Sequence, residues 1–431
     1  MAVTIRELFY IYLIMTLWMR GQGPNDDAAG VAIMLETIRI MMASPQVKND
    51  VMFLFTDGEE YGILGSTAYV GNHSVEEISL VVNLEARGNK GKSMLFETAE
   101  HNYGTVREFV AAASMPYGYS FINDIYKVLP NYTDYEPFKG KGARGLNFAY
   151  IEGLDVYHNE KDNIESVTLA SVQHNGQNAM EMAQHFGNLD SRSLDTTKEK
   201  AVYFNLFGYQ MIVFSTDYNK VLSLAAALLF SMVMLITWRK RSTTFRKIGI
   251  WLFTLISLAM ISFIVGAGLI LGKAMYYGLI PLPVTLMIIG LGTAGIAVSV
   301  FFMIRRKTWL RWKARLGELT LLDCLLSNLL VGMILTGLSY GYTPSSNYLF
   351  AIPVFIQSIV MLIYYGMGTQ QVIRWMCSIL AVIPVLLILF PLWYMVGLSI
   401  GWMGLPFLVI IVLLTAPYLI PMVFLPVAAR S

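Results

Sequence analysis

The chain has 431 residues, of which 55% are hydrophobic and 14% charged, with a net charge of +2, and its mean hydropathy of +0.54 is high for a soluble protein. Residues 1–216 hold 16 Lys and Arg against 26 Asp and Glu, whereas residues 217–431 hold 15 against 3. This asymmetry predicts two domains in different solvents. The basic excess lies between apolar runs, so we expect no nucleic-acid partner. The two cysteines, Cys324 and Cys377, imply no disulfide framework.

Alternating strand-like and helix-like segments make up residues 22–187. The strand-like apolar runs are 51–55, 80–84 and 146–150, and the helix-like runs are 28–43 and 167–186. Strands that alternate with helices predict a three-layer α/β domain with a mainly parallel sheet. Residues 188–220 are predicted to be a linker into the C-terminal part.

Acidic and histidine side chains stand just beyond these strands or at the start of a helix. In chain order they lie in the segments Asn25-Asp26-Asp27, Asp57-Gly58-Glu59-Glu60, Asn83-Leu84-Glu85 and Tyr157-His158, with Asp162 following. Open α/β sheets place their sites beyond the carboxyl ends of strands, and carboxylate and imidazole groups bind zinc. Each segment alone also fits a plainer interpretation, such as an acidic helix start or a structural histidine. Their order together favours a metal site.

In their spacing and local amino-acid sequence these segments resemble the di-zinc aminopeptidases of peptidase family M28. The resemblance covers about residues 22–187 and is closest to the branch of vacuolar and endoplasmic reticulum membrane proteases. It implies that Asp26 bridges two zinc ions, that Glu60 and His158 bind one of them, and that Glu85 binds the other. It makes Glu59 the general base. It gives supporting or pocket positions to Asp27, Asp57, Asp134, Tyr135 and Asp162.

One ligand of that family is missing from this sequence. The family opens its site with a His-x-Asp pair shortly before the Asn-Asp-Asp segment, and here the stretch Leu13–Arg20 contains no histidine. The resemblance therefore implies at most one well-held zinc ion where the family binds two. We expect residues 1–21 to be an aberrant segment, and the sheet to have lost the strand that carries this pair.

A shifted reading frame would explain the missing histidine. With the frame moved back by one base, the codons of Met15 and Thr16 necessarily yield aspartate, whereas those of Ile14 and Leu13 permit tyrosine and histidine. The resulting His-Tyr-Asp would stand where the family has its opening motif. A Leu13 codon that ends in any base except C would remove the histidine and contradict this hypothesis.

From about residue 221 the sequence becomes a series of apolar runs of membrane length. We predict seven spans, at 221–238, 248–272, 283–304, 317–338, 348–367, 376–396 and 402–424. Basic residues fall in alternate loops, so the positive-inside rule places the C-terminus in the cytoplasm and the segment before residue 221 across the membrane. Glu318 and Asp323 stand near the start of the fourth predicted span and do not by themselves indicate a transport path.

These features predict a membrane-anchored zinc metallopeptidase of aminopeptidase type, with peptides as substrates and membrane lipid as its surroundings. The peptidase-like domain would lie outside the cytoplasm, and its activity would be impaired by the missing histidine. A first alternative is a domain that keeps the fold but binds peptides or proteins without cutting them. A second is a transporter or channel with an accessory domain, which the lack of paired charges deep in the spans disfavours.

Overall fold

The structure is a computed structural model that describes residues 10–17, 23–129, 131–190, 194, 199–257 and 321–366, with scattered positions between 260 and 319 and between 383 and 397. The chain divides into two compact units. The first contains the chain up to Asn219 together with Thr343–Ser346, and the second contains Lys220–Tyr342 and the chain from Asn347 onwards.

The first unit is built on a mixed five-stranded sheet with the order β2-β1-β3-β5-β4. Its strands are β1 (Tyr10–Leu17), β2 (Asp50–Asp57), β3 (Ile78–Ala86), β4 (Met94–Thr98) and β5 (Gly145–Tyr150). Three pairings are parallel, and only β4 runs antiparallel to its neighbour β5. The three predicted strand-like runs lie inside β2, β3 and β5, so those strand predictions are confirmed.

Helices cover both faces of this sheet. They are α1 (Ala29–Ala43), α2 (Leu64–Asn72), α3 (Tyr103–Ala112), α4 (Ser120–Tyr126), α5 (Tyr135–Gly140) and α6 (Leu169–Asn188). Alternate residues of β3 enter two separate hydrophobic cores: Leu80 and Leu84 pack with α1, α3 and α6, whereas Val81 packs with α2 and α5. This alternation follows from the two-residue period of a strand, and the two cores give the unit three layers.

The strand that we expected the sheet to have lost is present. Residues Tyr10–Leu17 form β1, which lies between β2 and β3 and pairs in parallel with both. The sequence Tyr-Ile-Tyr-Leu-Ile-Met-Thr-Leu is rich in residues that favour strands and contains no charge. The expectation of an aberrant segment over 1–21 is therefore wrong for the fold of residues 10–17, although their sequence still lacks the histidine.

The predicted linker over 188–220 is also corrected. Its second half forms a hairpin of β6 (Ala201–Leu206) and β7 (Gln210–Ser215), turning at Gly208 with φ +73°. Ala201 and Tyr203 are buried in the core that also holds α3 and α6. Two apolar runs separated by a glycine-containing turn are typical of a hairpin, and residues 201–215 carry this pattern.

The second unit contains the helices that could cross a membrane. Among the described residues three are long and apolar enough: α7 (Thr216–Lys240), most of α8 (Leu321–Tyr342) and α9 (Tyr348–Gly366). They correspond to the first, fourth and fifth predicted spans. The other four predicted spans lie wholly or partly outside the described residues, so the number seven stays a prediction. In α8 the carboxylate of Asp323 lies 3.6 Å from Lys247 Nζ, so this acid is paired and adds nothing to the transporter alternative.

Candidate metal centre

Three side chains from distant parts of the chain converge at the carboxyl end of the sheet. His158 Nε2 lies 3.2 Å from Asp26 Oδ2 and 2.7 Å from Glu60 Oε1. One ligand atom from each of the three lies within 4.8 Å of the others, a grouping that could hold a metal ion. The side chains of Asp26, Glu60 and His158 are 17%, 28% and 40% exposed, so the group opens to solvent on one side. We name these three residues the ligand triad.

Asp26 is positioned by a clamp from the loop that follows His158. Asp26 lies in an irregular helical turn, Pro24–Ala28, which leads into α1. The carboxylate of Asp162 accepts hydrogen bonds from the backbone N–H groups of Asn25 and Asp26, at 3.0 and 3.1 Å, and from Asn25 Nδ2 at 2.8 Å. Asp162 therefore ties together the two segments that carry Asp26 and His158.

Glu59 and Glu60 follow β2 after a tight turn. Gly58 has φ +71° and donates its N–H to Asp57 Oδ1 at 2.8 Å. A Cβ atom on Gly65 would stand 2.7 Å from the backbone nitrogen of Asp57, so a glycine there lets α2 approach the turn. Asp57 is exposed and shapes this turn; it is not a member of the ligand triad.

The conformation of His158 is fixed by its own loop. Its backbone is left-handed, with φ 56°, which is uncommon for a residue other than glycine. Its ring stacks on that of Tyr157, with centroids 3.7 Å apart and planes inclined by 23°. Hydrogen bonds to Asp26 and then to Glu60 raise the pKa of His158 to about 10, although burial opposes the rise. A metal ion bound at Nε2 would have to displace that proton.

Glu59 lies in a partly buried setting among other carboxylates. Burial raises its pKa to about 8, and the neighbouring carboxylates of Glu60, Asp134 and Asp26 add to the rise, while His158 opposes it. A general base is most effective when its pKa lies near the working pH. Glu59 directly precedes Glu60, which is a member of the ligand triad. Among the described residues, the candidate metal-binding group does not include Glu59.

Glu85, the predicted ligand of the second zinc ion, stays apart from the ligand triad. Its carboxylate accepts a hydrogen bond of 2.8 Å from Asn83 Nδ2. Burial raises its pKa well above the usual range, and Asp27 and Glu59 add to the rise. Asp27 is buried as well: its Oδ1 accepts from Gly30 N at 3.3 Å, and its Oδ2 has no hydrogen-bond partner among the described residues.

A network of hydrogen-bonded polar side chains extends from Glu85 across the sheet. Asn83 Nδ2 also donates to Asn147 Oδ1 at 3.1 Å, and Asn147 Nδ2 donates to Glu97 Oε2 at 2.8 Å. Glu97 in turn pairs with Lys139 Nζ at 2.8 Å. The sequence interpretation did not include these residues. Their signal was available: Asn83, Glu97 and Asn147 are polar residues inside otherwise apolar strands, and such groups are normally paired.

The two predicted pocket residues have different surroundings. Asp134 is buried and accepts hydrogen bonds from Ser66 Oγ at 2.6 Å and from the hydroxyl of Thr56, which supports the turn around Glu59. Tyr135 does not line a pocket. Its ring is fully buried in the core with α2, where a Cβ on Gly145 would come within 2.1 Å of it, and its hydroxyl donates to Ala143 O at 3.0 Å. The aromatic ring is placed there by its position in the first turn of α5.

Residues 13–183 match the family model of peptidase family M28. The ligand triad and four of the five strands of the sheet lie wholly within these residues. The vacuolar membrane protease of Yarrowia lipolytica is 30% identical over 245 residues, which are 54% of this chain and 24% of that protein. Endoplasmic reticulum metallopeptidase 1 of Mus musculus is 28% identical over 208 residues, which are 47% of this chain and 23% of that protein.

The resemblance to the membrane-anchored branch of the family is thereby confirmed. The chain spans about a quarter of the length of these two relatives. Among solved structures, the aminopeptidase from Aneurinibacillus sp. strain AM-1 is 22% identical, with a TM-score of 0.33 over 42% of this chain and 45% of that one.

Proposed function

We propose that the first unit is a zinc-binding peptidase domain of aminopeptidase type, anchored by the helices of the second unit. The observation that carries the proposal is the ligand triad, with Glu59 beside it. One imidazole and two carboxylates are a donor set that catalytic zinc sites use, with a further position left open. The exposed side of the ligand triad supplies room for that position.

Each residue of the site then has a chemical task. Asp26, Glu60 and His158 would hold the ion, and Asp162 would fix the turn that carries Asp26. When bound, zinc lowers the pKa of water and polarises a carbonyl group. Glu59 would take the proton from the water that attacks the peptide bond and would pass it to the leaving amine.

We further propose that the chain has little or no peptidase activity as it stands. In the family, a second zinc ion would need Asp26, Glu85 and the missing histidine. Here Glu85 accepts a hydrogen bond from Asn83 and lies outside the ligand triad. The alternative function, a domain that binds peptides or proteins without cutting them, is favoured by this same observation.

Zinc content separates the proposal from a site with no metal. The purified chain is expected to hold about one zinc ion, and His158→Ala to lose most of it, because only two carboxylates of the ligand triad would remain. His73→Ala is the matched control, since His73 is an exposed histidine outside the ligand triad. Metal analysis after dialysis is the measurement, and hydrolysis of aminoacyl substrates is assayed in parallel. Equal zinc in both variants would contradict the assignment of His158.

The orientation of the chain in the membrane is a separate expectation. A reporter fused after Arg430 should be cytoplasmic, and one inserted after Asp190 should lie on the other side, because an odd number of spans separates them. Protease accessibility in sealed and in permeabilised vesicles measures this. If protease accessibility showed both reporters on the same side of the membrane, seven spans would be ruled out.

A further inference from the structure

Arg87 contacts an aromatic ring that stacks on a member of the ligand triad, and its side chain has no hydrogen-bond or ion-pair partner among the described residues. It is the first residue after β3, and its backbone N–H donates to Tyr150 O at 3.1 Å. Its guanidinium carbon lies 5.7 Å from the ring centroid of Tyr157, and that ring stacks on His158. The guanidinium and the imidazole of the ligand triad therefore contact the same aromatic ring.

The lack of a hydrogen-bonding partner among the described residues is unexpected at this position. Many carboxylates surround the site, yet the side chain of Arg87 forms no ion pair or hydrogen bond with any residue that the structure describes. Its Nε atom is buried and unpaired, whereas its Nη atoms are not among the buried unpaired atoms. A guanidinium carries five donors in a fixed fork, and leaving such donors unpaired is costly. Among the described residues no group pairs with the Nη edge, which leaves that edge to bind a group from outside.

The chemistry of that group follows from the fork. Guanidinium groups bind carboxylates through two parallel N–H···O bonds, and arginine is preferred over lysine where this planar recognition is needed. The guanidinium carbon lies over the ring of Tyr157, and this cation–π contact does not use the N–H donors of the fork.

We propose that Arg87 binds a carboxylate of the peptide substrate, and so selects substrates with a negative charge close to the scissile bond. This inference rests on the proposed peptidase function. The carboxylate has two possible sources, the C-terminal α-carboxylate of a short peptide or an acidic side chain that follows the scissile bond. Both present the same planar group to the fork.

Binding measurements on a non-hydrolysing protein test the inference. The full chain with Glu59→Gln, loaded with zinc in detergent, is titrated calorimetrically with four peptides. The affinities of Leu-Leu and Leu-Leu-amide are compared to test the C-terminal α-carboxylate. The affinities of Leu-Glu-amide and Leu-Gln-amide are compared to test the acidic side chain after the scissile bond. We expect the acid of at least one pair to bind about 10- to 100-fold more tightly than its neutral counterpart.

Variants then assign that preference to Arg87. Arg87→Gln should abolish the preference, and Arg87→Lys should keep only part of it, because a lysine carries the charge without the fork. Arg39→Gln, an exposed arginine on α1 paired with Glu36, is the matched control and should leave the preference unchanged. The comparison within the unaltered Arg87 protein needs no variant, so a folding defect in Arg87→Gln would not obscure the result.

The possible failures are distinguishable. If the peptides bind without preference for the acid, or if Arg87→Gln weakens acids and amides equally, Arg87 only balances the negative charge of the site and the inference is overturned. If none of the four peptides binds to the zinc-loaded protein, the proposed peptidase function itself fails, and the inference fails with it.

Discussion

The substitutions Ile14→His, Met15→Tyr and Thr16→Asp, made together, are expected to raise zinc content from about one to about two ions per chain. They are also expected to produce aminopeptidase activity that chelators abolish. Position 14 pairs with Asn83 of β3 and with Leu54 of β2. A histidine there would share the face of the sheet with Asn83 and Glu85, because side chains alternate along a strand.

The added imidazole would supply the third ligand of the second zinc ion, beside Asp26 and Glu85. Aspartate at position 16 lies on the same face as position 14 and can orient the imidazole, as carboxylates do for histidine ligands of zinc. Because β1 already occupies its place between β2 and β3, no upstream segment has to be added to form the strand. The measurement is zinc content together with hydrolysis of aminoacyl substrates, with and without chelator.

The matched control moves the same motif by one residue. Leu13→His, Ile14→Tyr and Met15→Asp would place the imidazole on the opposite face of the sheet, since a one-residue shift reverses every side chain. This control should gain neither zinc nor activity. Equal gain in both triple variants, or strong chelator-sensitive cleavage by the unaltered chain, would show that our account of the missing histidine is wrong.

The second large effect is expected from Glu59→Gln in the restored protein. Turnover should fall by about 10²- to 10⁴-fold, because glutamine has nearly the same shape but cannot accept a proton. Zinc content should not change, because Glu59 is not a member of the ligand triad. The measurements are kcat for an aminoacyl substrate and zinc content of the same preparation.

Glu60→Gln is the matched control for this prediction. The chemical change is the same one residue further along the chain, but Glu60 Oε1 is an atom of the ligand triad. This variant should lose zinc and activity together. If instead Glu59→Gln lost zinc and Glu60→Gln kept it, the roles assigned to the two glutamates would have to be exchanged.

The sequence alone determined the strands β2, β3 and β5, the helices α1 and α6, and three residues that the structure brings into the ligand triad. These features depend on local patterns: apolar runs of strand length, apolar residues at helical spacing, and acidic or histidine residues placed where strands end. A ligand that follows directly after a strand is carried to the same edge of the sheet whatever the details of the packing.

Tertiary structure decided the rest. Residues Tyr10–Leu17 form an inner strand because they pair with both β2 and β3. Ala201 and Tyr203 are part of the core because they pack against the apolar surfaces of α3 and α6. The same packing buries Tyr135 instead of exposing it to a pocket, and connects Glu85 to Asn83 and Asn147. Among the described residues the side chain of Arg87 has no hydrogen-bond or ion-pair partner, for a similar reason. Which donor meets which acceptor depends on distances between strands and loops far apart in sequence, and local patterns do not contain those distances.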